Sequence, residues 1–272
     1  MTVRAKAGGA GRYAVPAVDG MLDIVEFLAG QSRPWGINEL ARELGITTNM
    51  AFRILRRLAE RGYVEAAGEN GGYQLGTRFF SLGMRLYTRF ELRTRARPHL
   101  ERLAAATGET CQLHVLNARG MLVVDVVNPR ADFFLQVVPG AHLNCHANAF
   151  GKAVLAFLPP AEARRYLAGK LERLTDRTLT SAAAVVREFE SIRKSGVAFD
   201  REEYVRGVHC VGAPVFDASG AVVAGLGTTG LAMAREGAGA KVCERAVLDC
   251  AAAVSKDIGY TGDRFEAWRK RS

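Results

Sequence analysis

Five side chains in one short stretch carry hydrogen-bond donors at helical spacing: Thr48, Asn49, Arg53, Arg56 and Arg57. Donors of this kind suit phosphate oxygens and the edges of bases. The stretch around them, residues 37 to 64, reads INELARELGITTNMAFRILRRLAERGYV. Leu40, Ala41 and Leu44 form an apolar stripe that Gly45 interrupts. A second helix starts at Thr47 or Thr48, either of which can cap its first free amides. It buries Ala51, Ile54, Leu55 and Leu58 and ends at Gly62. Two such helices have the spacing of a helix-turn-helix, whose second helix lies in the DNA major groove. Taken alone, they fit an ordinary helical hairpin with a solvated arginine face equally well.

The segment after Gly62 separates the two readings. Tyr63-Val64-Glu65 is a short strand, Gly68 to Gly72 (GENGG) a turn, and Tyr73-Gln74-Leu75 a return strand. A hairpin directly after a recognition helix is a wing, and it places Asn70 and Tyr73 beside the DNA. Upstream, Val18, Met21, Leu22, Val25 and Leu28 repeat at the spacing of one more helix. Residues 14 to 76 therefore read as a winged helix-turn-helix that contacts double-stranded DNA through Thr47, Thr48, Asn49, Arg53, Arg56, Arg57, Asn70 and Tyr73.

The whole chain has 272 residues, 49% of them hydrophobic, enough for a core in each of two domains. Its net charge of +9 favours a polyanionic partner, and Arg85, Arg89, Arg93, Arg95 and Arg97 crowd the stretch after the wing. Five cysteines without a CxxC pair argue against a disulfide framework and for a reducing cytoplasm. No apolar run reaches the length of a membrane span, and the N-terminus has no signal-peptide core.

Other candidate chemistry is weaker. Gly225-Leu-Gly-Thr-Thr-Gly230 matches GxGxxG, but it lies in a hairpin strand and no βαβ unit surrounds it, so a dinucleotide is rejected. His209-Cys210 and Cys145-His146 are adjacent pairs whose side chains point apart in a strand, a poor metal set. No metal and no cofactor are expected. No nucleophile elbow or ordered triad points to an enzyme. Cys210, beside His209, leaves a thiol-responsive regulator as an alternative. His146-Ala-Asn-Ala-Phe-Gly-Lys152 opens a helix with unpaired amides that favour a carboxylate or phosphate, although ordinary capping explains it too.

From Thr77 a helix carries Phe79, Phe80, Leu82, Leu86, Tyr87 and Phe90, and Pro98 marks a break after it. Beyond Gly108 the period changes to two. Residues 110–117, 121–128, 132–138, 210–216 and 221–228 read as strands, with helices at 146–158, after Ser181 and from about 239 to 258. Strands joined by hairpins and interrupted by helices suggest an α+β domain with a mainly antiparallel sheet.

The order of these segments resembles the IclR family of transcriptional regulators. The matching blocks are ELARELG (39–45), RILRRLAERGYVE (53–65), YQLG (73–76), HANAFGKAVLAFL (146–158) and FDREEYVRGVHCVGAPVFD (199–217). The resemblance implies a winged helix-turn-helix at 14–76, a linker and dimerisation helix at 77–97, and a GAF-like effector domain at 98–262. It implies assembly as a homodimer or dimer of dimers, and a small carboxylate effector. It also places the effector pocket on Leu135, Leu143, Ala149, Phe150, Asp200, Val208, Cys210, Gly227 and Thr229. Where relatives usually carry serines in the last strand, this chain has Gly227 and Thr229, which suggests a differently shaped, aromatic ligand. The stretch TTNMAF also departs from the family pattern, so the operator sequence is expected to be unusual.

Overall fold

The computed structural model describes residues 14–67, 71–89, 91–131, 134–232 and 238–270. The chain divides into two compact units, residues 1–89 and 90–272.

In the first unit, α1 (Pro16–Ala29), α2 (Ile37–Leu44) and α3 (Thr48–Glu60) precede a two-stranded antiparallel hairpin, β1 (Val64–Ala67) and β2 (Gly72–Leu75). Gly45 adopts a left-handed φ of 67° between α2 and α3, a conformation that glycine reaches without a Cβ penalty. Ile24, Leu28, Leu40, Ile54, Leu55, Leu58 and Val64 form the core. The upstream stripe differs from the sequence expectation. Val18 and Leu22 stay about half exposed, while Gly20, Ile24 and Leu28 are buried. Gly20 is the reason: its missing side chain lets α1 approach Met50 of α3, which turns the i, i+4 row inward. Helix α4 (Thr77–Arg89) comes next, its first amide donating to the Glu65 carboxylate at 3.1 Å.

The second unit begins with α5 (Glu91–Thr107), which runs through Pro98. The expected break at that proline is thus overturned. Leu100 and Leu103 are buried beside Ala96 and Ala104. Burying two leucines is worth about 3–6 kcal/mol, which offsets the roughly 3 kcal/mol cost of an interior proline. Six antiparallel strands then form one sheet in the order β5-β4-β3-β8-β7-β6. These are β3 (Thr110–Asn117), β4 (Gly120–Val127), β5 (His142–Leu143), β6 (Ala198–Arg201), β7 (Val208–Phe216) and β8 (Val222–Leu231).

The strand expected at 132–138 is not formed by its described part, residues 134–138. That segment is held instead by the Thr110 hydroxyl, which donates to the Leu135 carbonyl at 2.9 Å. Pro139 lacks an amide donor, and backbone pairing with β4 begins only at Gly140 and Ala141, which both bond Val123, and continues in β5.

One face of the sheet packs on α5 and α9 (Ala238–Asp257) through Cys111, Leu113, Val211, Ala213 and Leu226. A final helix, α10 (Arg264–Arg269), adds Phe265 and Trp268 to this core, beyond the boundary expected at 262. The opposite face carries α6 (Ala149–Leu155), backed by α7 (Pro160–Tyr166) and α8 (Ala182–Ser195). Helix α6 rests directly on glycine. A Cβ at Gly212 would lie 2.8 Å from the carbonyl carbon of Ala149, and one at Gly225 would lie 2.7 Å from the carbonyl oxygen of Phe150.

Because backbone cannot swing aside, Gly225→Ala should destabilise the fold by about 1–3 kcal/mol in urea unfolding. Gly83→Ala is the control. It lies in α4 with nothing within 4 Å of a new Cβ, and it should gain about 0.5–1 kcal/mol. Equal effects at both positions would contradict the close approach.

Candidate functional site: an exposed helix face and a polar row on the sheet

Helix α3 presents its candidate side chains as the sequence pattern requires. Ala51, Ile54, Leu55 and Leu58 are buried, so Thr48, Asn49, Arg53, Arg56 and Arg57 are left exposed. Thr47 has a local task, since its hydroxyl oxygen accepts the Met50 amide at 3.2 Å as the N-cap. Arg57 forms an exposed ion pair with Glu60 at 2.9 Å, a contact of small weight in water. Asn70 lies outside the described residues. Tyr73 is half-buried against the winged core, and its amide and carbonyl both pair with Trp35.

In the second unit, strand register assembles a row of polar groups from distant segments. Thr110 on β3 is opposite Thr229 on β8, Thr229 is opposite Cys210 on β7, and Cys210 is opposite Asp200 on β6. All four are buried, on the face that α6 covers. The Gln112 amide donates to the Thr229 hydroxyl oxygen at 2.6 Å, and Gln112 Oε1 lies 2.8 Å from His114 Nε2. That pairing makes Nε2 the protonated nitrogen of the imidazole. Burial pushes His114 down to about 3, so the ring is neutral. It stacks on Phe150, with ring centroids 4.1 Å apart. The Thr229 oxygen takes the Gln112 amide on one of its two lone pairs, and Cys210 Sγ lies 3.2 Å from it, where either group can donate.

Asp200 ties its own loop. Its Oδ1 accepts the amides of Glu203 at 2.7 Å and Tyr204 at 3.3 Å. Its Oδ2 is buried without a hydrogen-bond partner among the described residues. Burial pushes the carboxyl up to about 6, although the two amides act in the opposite direction.

Ala149 and Phe150 are buried at the start of α6, and Leu143 and Val208 pack half-buried around the same core. Leu135 is half-buried and enters through its carbonyl. Gly227 contributes no side chain, because a Cβ there would collide with the Val211 carbonyl. The Asn148 side chain caps α6 through the Gly151 amide at 2.7 Å, so ordinary capping accounts for part of that polar block. Among the described residues no group of His, Cys, Asp and Glu could hold a metal ion.

Both units match known protein families. Residues 17–68 match the IclR helix-turn-helix domain, and residues 84–256 match the bacterial transcriptional regulator IclR C-terminal domain. The chain belongs to the IclR family. IclR proteins are transcriptional regulators with a DNA-binding and an effector-binding domain. The chain is 34% identical to the HTH-type transcriptional regulator BhcR of Paracoccus denitrificans, over 97% of this chain and 95% of that protein. It is 39% identical to the glycerol operon regulatory protein of Streptomyces griseus, over 87% and 93%. In fold it resembles an IclR homolog from Microbacterium hydrocarbonoxydans solved with 4-hydroxybenzoate, with a TM-score of 0.76 and 21% identity, over 89% of this chain and 98% of that one. The relatives are named transcriptional regulators, so the family is one of regulators and not of enzymes. No described helix is long and apolar enough to cross a membrane.

Residue-by-residue reading of the sequence missed Thr110, Gln112 and His114. The usable signal was the alternation in TCQLHV, which puts these three on one face of β3. It also missed Lys152, fully buried, whose Nζ lies 2.6 and 2.8 Å from the Glu203 carboxylate and 2.8 Å from Glu188.

A carboxyl whose pKa rises on folding keeps a proton that the unfolded chain releases between its ordinary 3.8 and about 6. Its contribution to stability therefore falls as pH rises through that window. Asp200→Asn preserves the acceptor for the Glu203 amide and removes this dependence. The variant should be about 1–3 kcal/mol more stable than the wild type above pH 6 and equal to it below pH 4. Denaturation at a series of pH values reads the difference, and a constant offset would refute the buried carboxyl's role.

Proposed function

We propose that this chain is a sequence-specific DNA-binding regulator whose grip on its operator responds to a small organic acid, with aromatic hydroxy acids the favoured class. The observation that carries the reading is the polar row. The Thr229 hydroxyl, which accepts from Gln112 and keeps its own proton to turn from Cys210 to a ligand, suits a ligand carboxylate. The unpaired Oδ2 of Asp200 suits a ligand hydroxyl or other donor. An acid carrying a hydroxyl at its far end supplies both. The 4-hydroxybenzoate bound by the Microbacterium hydrocarbonoxydans homolog has that form, which supports the assignment.

On the DNA side, Arg53, Arg56 and Arg57 would anchor phosphates while Thr48 and Asn49 approach base edges. The expected partner is double-stranded operator DNA in the cytoplasm, held by a homodimer or dimer of dimers. Exposed Phe80 and Leu82 on α4 give a second copy apolar surface to cover. Effector binding would then shift the population of dimer arrangements and so the separation of the two recognition helices.

Two measurements test the two halves separately. Thermal melting with 4-hydroxybenzoate and with aliphatic acids should show stabilisation that grows with free ligand. Thr229→Val should lose most of that shift, and a Thr229→Val profile identical to wild type would remove the row from the site. Arg53→Ala should weaken binding to a selected duplex by about 1–3 kcal/mol if it reads a base, and less if it touches phosphate alone. Unchanged anisotropy titrations would remove Arg53 from the interface.

A further inference from the structure

Phe52 stands out on α3 because its exposed neighbours along the helix are polar. The helix turns residues 48, 49, 52, 53 and 56 outward, and members three and four apart are neighbours on its surface. Phe52 thus has Thr48 and Asn49 one turn before it and Arg56 one turn after, and its side chain is 46% exposed. A hydrocarbon ring gains nothing from a phosphate and can make no hydrogen bond to a base edge. Leaving it in water at the centre of a cationic face forgoes the stabilisation that burial would bring. Among the groups that line the major groove, the apolar one is the C5 methyl of thymine.

We propose that Phe52 is a base-reading residue whose ring packs against a thymine methyl in the major groove. The assignment rests on the DNA-binding reading above and adds to it a preference at a defined position. A groove of about 730 Å³ beside the ring, floored in part by Ala17 and Met21 of α1, leaves space for the edge of a base pair and its sugar. A second copy of this chain is the rival occupant of the apolar surface. Charge argues against it. Symmetric contact would bring Arg53, Arg56 and Arg57 against their own copies, and only Glu60 on this helix face offsets them. DNA presents the opposite charge on both sides of a groove wide enough for the helix.

The test uses the full chain and a duplex selected from a random pool by repeated binding. Each thymine of the selected duplex is replaced singly by deoxyuridine, which lacks only the methyl. Wild-type protein should bind about three- to fivefold more weakly at one thymine per half-site, the weight of one buried methyl. Phe52→Ala should be indifferent to that replacement, Phe52→Leu should keep part of the penalty, and Arg53→Ala should keep it in full. Circular dichroism melts show that the exposed-site variants remain folded.

The assignment is overturned if wild type is indifferent at every thymine, or if Phe52→Ala retains the same penalty. It is also overturned if Phe52→Ala keeps the penalty but lowers the assembly state in sedimentation, which would identify a second copy as the occupant. A pool that yields no preferred sequence overturns the sequence-specific reading as well, whereas indifference on a preferred sequence overturns Phe52 alone.

Discussion

The contact on which the effector unit depends is backbone against backbone. Helix α6 lies on Gly212 and Gly225, and at those two positions its backbone meets the strands directly. That approach presses Phe150 onto His114 and brings the first turn of the helix beside the row from Thr110 to Asp200. It also sinks Lys152 until its whole side chain is buried. A lone buried ammonium would be strongly destabilising, and Glu203 and Glu188 answer it from two other elements. The same helix therefore sets both the chemistry of the row and the position of the 202–207 loop beside it.

The row is made of polar groups whose burial needs explanation. A buried polar group that lacks a partner costs about 1–3 kcal/mol. Most polar atoms of the row find partners within it or beside it: His114 Nε2 in Gln112, Gln112 in Thr229, and Thr110 in the Leu135 carbonyl, whereas His114 Nδ1 has none among the described residues. Asp200 is satisfied on one oxygen and not on the other. Two buried polar atoms left without a partner among the described residues, Asp200 Oδ2 and His114 Nδ1, are groups that a polar ligand could satisfy. Cys210 belongs to this network through Thr229 and is 5% exposed, so its environment is that of a lining residue under a helix.

The DNA-binding unit is largely legible from local pattern because its determinants are local. The apolar stripe of α3, the threonine cap, the left-handed Gly45 and the hairpin after Gly62 all act within a few residues. Where local pattern misleads, a longer-range contact intervenes. Val18 and Leu22 fit a helical stripe as well as Ile24 does, but Gly20 against Met50 decides which side of α1 faces inward. Pro98 is a breaker by local rule, and the burial of Leu100 and Leu103 overrules it. Tyr73, expected beside the DNA, is half-buried against the core of the winged unit, and its backbone pairs with Trp35.

The amino-acid sequence by itself determined the recognition helix, its cap, its wing, the four long strands of the second unit (β3, β4, β7 and β8, but not the short edge strands β5 and β6) and the family to which these blocks belong. Periodicity and turn chemistry are short-range properties, and they survive in a linear reading. Only the tertiary structure decided that Gln112 would meet Thr229, 117 residues away, and that Thr110, Cys210 and Asp200 would line up beside them. It also showed that Gly227 has no room for a side chain and that Lys152 is an internal ion. Strand order and register set these encounters, and both depend on which strands share a sheet, a property that no single segment encodes.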